Sequence, residues 1–298
     1  MMRILVTGAS GFIGRNLAEA YASSYEVFAP SSSELNLLDE QAVRAYLKAH
    51  RFDAVVHSAT TRSNRRVAAP PDLLDRNCRM FFNLARNASL FGKMIHLGSG
   101  AEYDVTDLPP LVKEDYFDTR VPRDAYGFSK YICAKYIERS EGITELRLFG
   151  VFGPYEDYTV RFISNACCRV LKGLPIVIRQ DAIFDYLHIA DLAGIVRWFL
   201  ENEPAHKSYN ASTGRRAHLT ELAQMVADVS GCNPSISVVQ PGVRAEYTAD
   251  NSRLLAELGP YEFRDMRAAI GELYDWYQQR HSTLDIDLLR FDDVKRGQ

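Results

Sequence analysis

The chain has 298 residues, 47% hydrophobic and 24% charged, with a formal net charge of -3 at pH 7. That length holds one large α/β domain with an appendage or two modest domains, and the composition is that of a soluble globule. The slightly acidic balance gives no electrostatic case for a nucleic-acid partner, and no apolar run is long enough to cross a bilayer, so no membrane partner is expected. Cys78, Cys133, Cys167, Cys168 and Cys232 form no CxxC pair, which points to reduced thiols rather than a disulfide framework; no metal site is expected. The first strand begins at the second residue, so no signal peptide is expected and the location is read as cytoplasmic.

Along the chain, Ile4 to Val6 reads as a buried strand running into a turn with Gly8, Gly11 and Gly14, spaced three apart, and then into an amphipathic helix. Gly8 lets the chain turn sharply off the strand, Gly11 removes the Cβ that would block a phosphate, and Gly14 lets the helix pack close to the sheet. The helix amides then face an anion, so this stretch is read as the pyrophosphate cradle of a dinucleotide. Val27 to Ala29, Ala54 to Val56, Met94 to Leu97 and Leu146 to Phe149 read as further strands, with helical spacing between them. Strand, crossover and strand in repetition imply an α/β fold, a Rossmann-type doubly wound parallel sheet with the cofactor at the carboxyl ends of the strands.

Residues 1–155 are assigned to this dinucleotide-binding domain, to which the chain returns near 183–210, and 156–298 mainly to a smaller substrate-binding lobe. That lobe is expected to hold a helix near Phe162 to Leu171, a strand at Ile176 to Ile178, helices near Leu219 to Val229 and Asp265 to Gln279, and a loose tail, FDDVKRGQ. After the second strand stands Pro30-Ser31-Ser32-Ser33, where an NAD site usually carries an acid. Nothing in these residues would repel a 2'-phosphate, and either Arg15 or the cluster Arg62, Arg65 and Arg66 could reach one; a solvated basic loop would read the same way.

Tyr126 and Lys130 in YGFSK lie four apart, so on a helix beginning near Asp124 they project from one face. A free phenol titrates near about 10, and bringing one to near 7 takes roughly 4 kcal/mol, which a close ammonium and an oxidised nicotinamide could supply. Tyr131 and Lys135 share the spacing, but the first pair stands at the helix entrance after Pro122 and Arg123, where a side chain reaches a cleft. Ser99, in His96-Leu97-Gly98-Ser99-Gly100, would emerge at the sheet edge that holds the cofactor; a serine there also serves as a turn or helix cap.

These motifs together resemble the extended short-chain dehydrogenase/reductases, the nucleotide-sugar epimerase/dehydratase group, over nearly the whole chain. TGASGFIG resembles the family's cradle, VVHSAT at Val55 to Thr60 its segment beside the nicotinamide, YGFSK its catalytic pair, and FDYLHIAD at Phe184 to Asp191 its RDYIHVxD signature. Ser99 precedes Tyr103 as the family's catalytic Ser/Thr precedes a tyrosine, and ELNLLDEQAV with YNASTGRRAHLTELA is similar in particular to the GDP-L-fucose synthase-like 4-keto sugar reductases. The resemblance implies catalysis by Ser99, Tyr126 and Lys130, and cofactor binding by Gly8, Ser10, Gly11, Phe12, Ile13, Gly14, Asp39, Ser58, Ala59, Thr60 and Asn77 together with Tyr126 and Lys130. Asp39 is a candidate for the adenine amino group, with helix capping an equal reading; His188 and Asp191 resemble anchors of the lobe junction.

The departures matter as much. The family's 4,6-dehydratases place Asp and Glu directly after the catalytic hydroxyl, where this chain has Gly100 and Ala101. Fucose synthases invert two carbons with a cysteine and a histidine, at positions that read here as Ala101 and Arg161. Glu102 stands one residue out of register for a substitute base and is expected to face away. Gly150 and Phe184 replace an asparagine and an arginine common on the substrate side, so the diphosphate of a nucleotide-diphosphate sugar is assigned to Arg161, Arg179 and Arg244. The resulting expectation is a 4-keto-6-deoxy sugar nucleotide reductase using NADP(H) in preference to NAD(H). A C4 epimerase with retained NAD and a nonenzymatic dinucleotide sensor or scaffold are the alternatives. Helices near Leu73 to Leu90 and Tyr126 to Arg139 suggest, by family analogy, a homodimer through a four-helix bundle.

Overall fold

The computed structural model describes residues 1–61 and 68–294, with side chains through residue 290. Its first half alternates β1 (Arg3–Thr7), α1 (Phe12–Tyr21), β2 (Glu26–Phe28), α2 (Glu40–His50), β3 (Phe52–His57), α3 (Leu73–Ala85), β4 (Phe91–Ser99), α4 (Ala125–Ile137) and β5 (Ile143–Leu148). Then follow β6 (Gly150–Phe152), α5 (Phe162–Leu171), β7 (Ile176–Asp181), β8 (Ile183–Phe184), β9 (Tyr186–His188), α6 (Ile189–Glu201) and β10 (Ser208–Ala211). The chain ends with β11 (Ala217–His218), α7 (Leu219–Ser230), β12 (Ile236–Val243), α8 (Ser252–Leu258), α9 (Met266–Gln278) and α10 (Ile286–Val294).

Six strands form one parallel sheet in the order β10-β5-β4-β3-β1-β2. Both faces are covered, which is why its strands read as nearly unbroken apolar runs. Ile4, Val6, Ala54, Val56, Ile95 and Leu97 pack with Leu17 and Tyr21 of α1 and with α6. Leu5, Val55, Met94 and Ile143 pack on the opposite face with α2, α3 and α4. A second core unites α5, α7 and α9 with β7, and it also ties down the chain end. The tail expected to be loose is partly helical: Phe291 to Val294 continue α10, because Leu289 is buried in that core and its carbonyl accepts from Arg169 Nη1 at 2.8 Å. The remaining four residues lie outside the described ones.

The apolar face under α3 and α4 gives way at the carboxyl end of the sheet to a polar row. Thr7, His57, His96 and Glu145 are paired in register across β1, β3, β4 and β5. Thr7 Oγ1 lies 2.8 Å from His57 Nδ1, and the His57 and His96 rings stack at 5.4 Å. Burial holds the His57 imidazole down to about 3 and the His188 imidazole to about 4, from the ordinary 6.5.

An unfolded histidine takes up its proton near pH 6.5, whereas these two resist protonation in the fold. Their contribution to stability is therefore complete above about pH 6.5 and is lost as the pH falls toward about 4. His96, also held down by burial, adds to theirs, whereas Asp185, raised by burial to about 6, and Glu102 and Glu145, likewise pushed up by burial, act with the opposite sign. Urea-unfolding midpoints should accordingly fall between about pH 7 and about pH 4.5, and His57→Gln should flatten that slope.

Candidate active site

The turn between β1 and α1 is shaped by close packing. Gly8 sits at φ +73°, the Gly11 amide donates to the Gly8 carbonyl at 2.9 Å, and a Cβ at Gly14 would lie 2.6 Å from Ser58 Oγ. Ser58 in turn donates to the Thr7 carbonyl at 2.6 Å, which ties the ends of β1 and β3 together. Ser10, Gly11, Ser58, Ala59 and Thr60 line a cavity of about 190 Å³ that reaches Pro30 and Ser32 at the end of β2. Phe12 and Ile13 line its neighbour, of about 390 Å³, and Ser58 and Thr60 border both. A backbone cradle with no room for side chains, opening along the carboxyl edge of a parallel sheet, fits a dinucleotide.

Other candidate residues have different places. Asp39 is the N-cap of α2, its Oδ1 accepting from the amides of Gln41 and Ala42 at 2.9 and 3.0 Å. Asn77 clasps the backbone of Thr61 through both ends of its amide and donates to Ser129 Oγ of α4, so it braces the cavity wall. Arg15 stacks over Tyr155 at 3.7 Å and pairs with Glu19, away from the end of β2. Arg62, Arg65 and Arg66 lie outside the described residues. The serine loop is not free of negative charge as its residues suggested: Glu34 Oε2 accepts from the Ser31 amide at 2.8 Å and from its hydroxyl at 2.7 Å. Those donors hold the Glu34 carboxyl below its ordinary range.

Ser99, Tyr126 and Lys130 all line the 390 Å³ cavity. Asp124 caps α4 by accepting from the Gly127 amide at 2.8 Å, so Tyr126 occupies the first turn and Lys130 the next. The Lys130 ammonium donates to the Leu97 carbonyl at 2.8 Å. Ser99 Oγ accepts from the Ala101 amide at 3.2 Å, and Tyr247 lines the same cavity with its hydroxyl over Gly100. The second tyrosine–lysine pair is elsewhere: Tyr131 and Lys135 both bind Asp118 at the surface.

Tyr247 comes from the segment after β12, and no spacing in the sequence connects it to Ser99. It packs on Phe149 at 4.9 Å between ring centroids, and the two cover Gly100, where a Cβ would lie 2.6 Å from the Phe149 ring. The position after Ser99 is thus filled from above by aromatic rings. Burial pushes the Tyr247 phenol up, keeping it a neutral hydrogen-bonding group.

Arg161 borders this cavity and also a larger one of about 560 Å³ in the second lobe, which Arg179 and Arg244 line with Phe184 and Tyr186. Among the described residues, none of the three guanidiniums is ion-paired. Two cavities meeting at an unpaired arginine, one bearing the triad and the other cations with aromatic faces, can seat an extended anionic ligand with its reactive end at Tyr126. Replacing Tyr247 by Phe should keep the aromatic packing while removing a hydroxyl from the cavity wall beside Ser99, and kcat/KM on an accepted substrate should fall about 10-fold with the unfolding midpoint little changed.

Comparison with known proteins agrees with this architecture. Residues 4–212 match the NAD dependent epimerase/dehydratase family. The chain is 24% identical to GDP-L-colitose synthase of Yersinia pseudotuberculosis, over 93% of its own length and 98% of that protein. It is 26% identical to GDP-6-deoxy-D-talose 4-dehydrogenase of Aggregatibacter actinomycetemcomitans, over 92% and 97%. The fold is shared with the NADP-bound GDP-mannoheptose C4 reductase of Campylobacter jejuni, with a TM-score of 0.80 at 20% identity, over 93% of this chain and 98% of that one. With the family match spanning more than half of its length, the chain belongs to the NAD dependent epimerase/dehydratase family, within the extended short-chain dehydrogenase/reductases.

Proposed function

We propose that the protein is an NAD(P)-dependent oxidoreductase acting at C4 of a nucleotide-diphosphate sugar, and that it reduces a 4-keto-6-deoxy sugar. One observation carries this reading: Ser99, Tyr126 and Lys130 share a cavity with the cradle residues Phe12 and Ile13, and that cavity continues at Arg161 toward Arg179 and Arg244. When bound, a nicotinamide dinucleotide supplies the hydride. The chain's own part is proton transfer and orientation. Tyr126 gives its phenolic proton to the C4 oxygen, Ser99 donates a hydrogen bond to that oxygen, and Lys130, anchored on the Leu97 carbonyl, favours the phenolate left behind. Arg161, Arg179 and Arg244 neutralise the diphosphate, and Phe184 and Tyr186 offer apolar faces to the nucleoside.

The reaction stops at reduction because the other groups the family uses are missing. Gly100 lies under Phe149 and Tyr247, and Ala101 carries no acid or thiol, so the positions from which the family's dehydratases and fucose synthases act after the serine hold no acid or base here. The relatives whose names specify GDP-linked deoxy sugars favour the same substrate class. For the cofactor we favour NADP(H): among the described residues no carboxylate lines the cavity at Pro30 and Ser32, and Glu34 is engaged by Ser31.

Purified protein incubated with a panel of 4-keto nucleotide sugars should consume NADPH stoichiometrically with product. Product formation without net consumption would instead mean a C4 epimerase, and no turnover with tight dinucleotide binding would mean a sensor. Tyr126→Phe should lower kcat about 10³-fold with KM little changed, and turnover that survived this change would remove the proton-transfer assignment. Ser32→Asp should raise KM for NADPH at least about 10-fold while sparing that for NADH, since a carboxylate would then face the 2'-phosphate.

A further inference from the structure

Beneath the active site lies a charged group of side chains that the proposed reaction does not use. Glu102 and Glu145 are each 0% exposed and Arg147 is 1% exposed. Arg147 Nε is ion-paired with Glu102 Oε1 and lies 3.2 Å from Glu145 Oε2, so both carboxyl groups converge on one guanidinium nitrogen. Arg147 Nη1 also donates to the Tyr103 hydroxyl at 2.8 Å, and that hydroxyl donates to Asn210 Oδ1 at 2.7 Å. The groups facing the pair from the surrounding elements are Lys130 and Cys133 of α4, His96 of β4, Tyr103 and Glu114 after it, and Tyr247 of the second lobe.

Two features connect this group to the catalytic strand end. The Glu145 carboxyl lies flat on Gly98, where a Cβ would be 2.7 Å from its Oε1, and no donor from the protein reaches that oxygen. Glu102 stands in the short helical turn, Gly100–Tyr103, that Ser99 caps. The pair therefore holds Gly98 and Ser99 from below, while the neighbouring Leu97 carbonyl anchors Lys130 from above. Of the four carboxyl oxygens, Glu102 Oε1, Glu102 Oε2 and Glu145 Oε1 receive no hydrogen bond from the protein, so a proton held by the two groups would supply the donor that these buried oxygens lack.

We propose that Glu102 and Glu145 share one proton, and that the resulting singly charged pair, with Arg147, is the positioning device that sets the Leu97–Ser99 strand end and hence the spacing of Ser99, Lys130 and Tyr126. Burial and then the neighbouring Glu145 push the Glu102 carboxyl up, and burial does the same to Glu145, against the pull of Arg147 and Lys130. A pair holding one proton balances Arg147 and leaves Lys130 as the net charge facing the Tyr126 phenol. This inference rests on the catalytic reading of Tyr126 and Lys130, but its charge state does not.

The test uses the full-length protein. Infrared spectra of the cofactor-free protein near neutral pH should show the carbonyl stretch of a buried protonated carboxyl, absent from both Glu102→Gln and Glu145→Gln. The pH at which the Tyr126 phenol ionises, taken as the ultraviolet difference between each protein and its Tyr126→Phe counterpart, should be the same in either single variant as in the parent. In the double variant it should drop by about one pH unit, because Arg147 then lacks a counter-ion. In turnover, Glu102→Leu should lower kcat more than about 30-fold with KM little changed, and Glu102→Gln should recover most of that loss, since an amide reproduces the donor and acceptor of a protonated carboxyl.

An absent carbonyl stretch, or a phenol titration displaced in a single variant, would overturn the shared proton. Failure of Gln to rescue Leu would overturn the positioning role. If the protein turned over no sugar at all, the reading of the reaction would fall while the infrared and titration results still decided the charge state. If the double variant did not fold, the two single variants would decide it alone.

Discussion

Lys130 is 6% exposed, and its ammonium rests on the carbonyl of Leu97, so the cost of keeping that charge inside the protein falls on what surrounds it. Burying an ammonium without compensating groups costs several kcal/mol. The compensation is built into the sheet. Its strands are apolar until their carboxyl ends, and there Thr7, His57, His96 and Glu145 replace the aliphatic residues on the face that α4 covers. The histidines stay neutral because burial holds them down, so they add no further cation, and the carboxyl groups of Glu102 and Glu145 lie against Arg147 beneath. A single α/β layer thereby carries both an apolar core and a charged floor for the chemistry above it.

The two lobes divide the work along the same edge. The sheet and α1 provide a backbone cradle, while α4 provides the phenol and the ammonium from a helix whose start is set by the Asp124 cap. The second lobe closes the site rather than founding it: Tyr247 lines the cavity with Ser99, its ring and Phe149 cover Gly100, and Arg161 links the reactive cavity to the cationic one. Small residues at Gly98, Gly100 and Ala101 acquire their meaning from what lies against them. Glu145 packs on the first, and Phe149 and Tyr247 on the second.

Much of this was legible in the chain itself, because short-range rules govern it. The glycine spacing after an apolar strand, the alternation of strands and helices, and the four-residue interval of Tyr126 and Lys130 after a capping aspartate all depend on neighbours within a few residues. So did the choice between the two tyrosine–lysine pairs, since only one stands at a helix entrance. What local pattern could not show was the destination of long side chains. Asp39 had two equal readings and the fold places it as a cap, Arg15 turns to Tyr155, and Glu34 folds back on a serine loop that looked uncharged. Tyr247 and the floor of Glu102, Glu145 and Arg147 were decided only when segments far apart in sequence were packed together. Burial and its energetic consequences belong to the folded assembly, so the sequence by itself determined the sheet, the glycine turn and the helix that carries Tyr126 and Lys130, and tertiary packing determined which charges those side chains face.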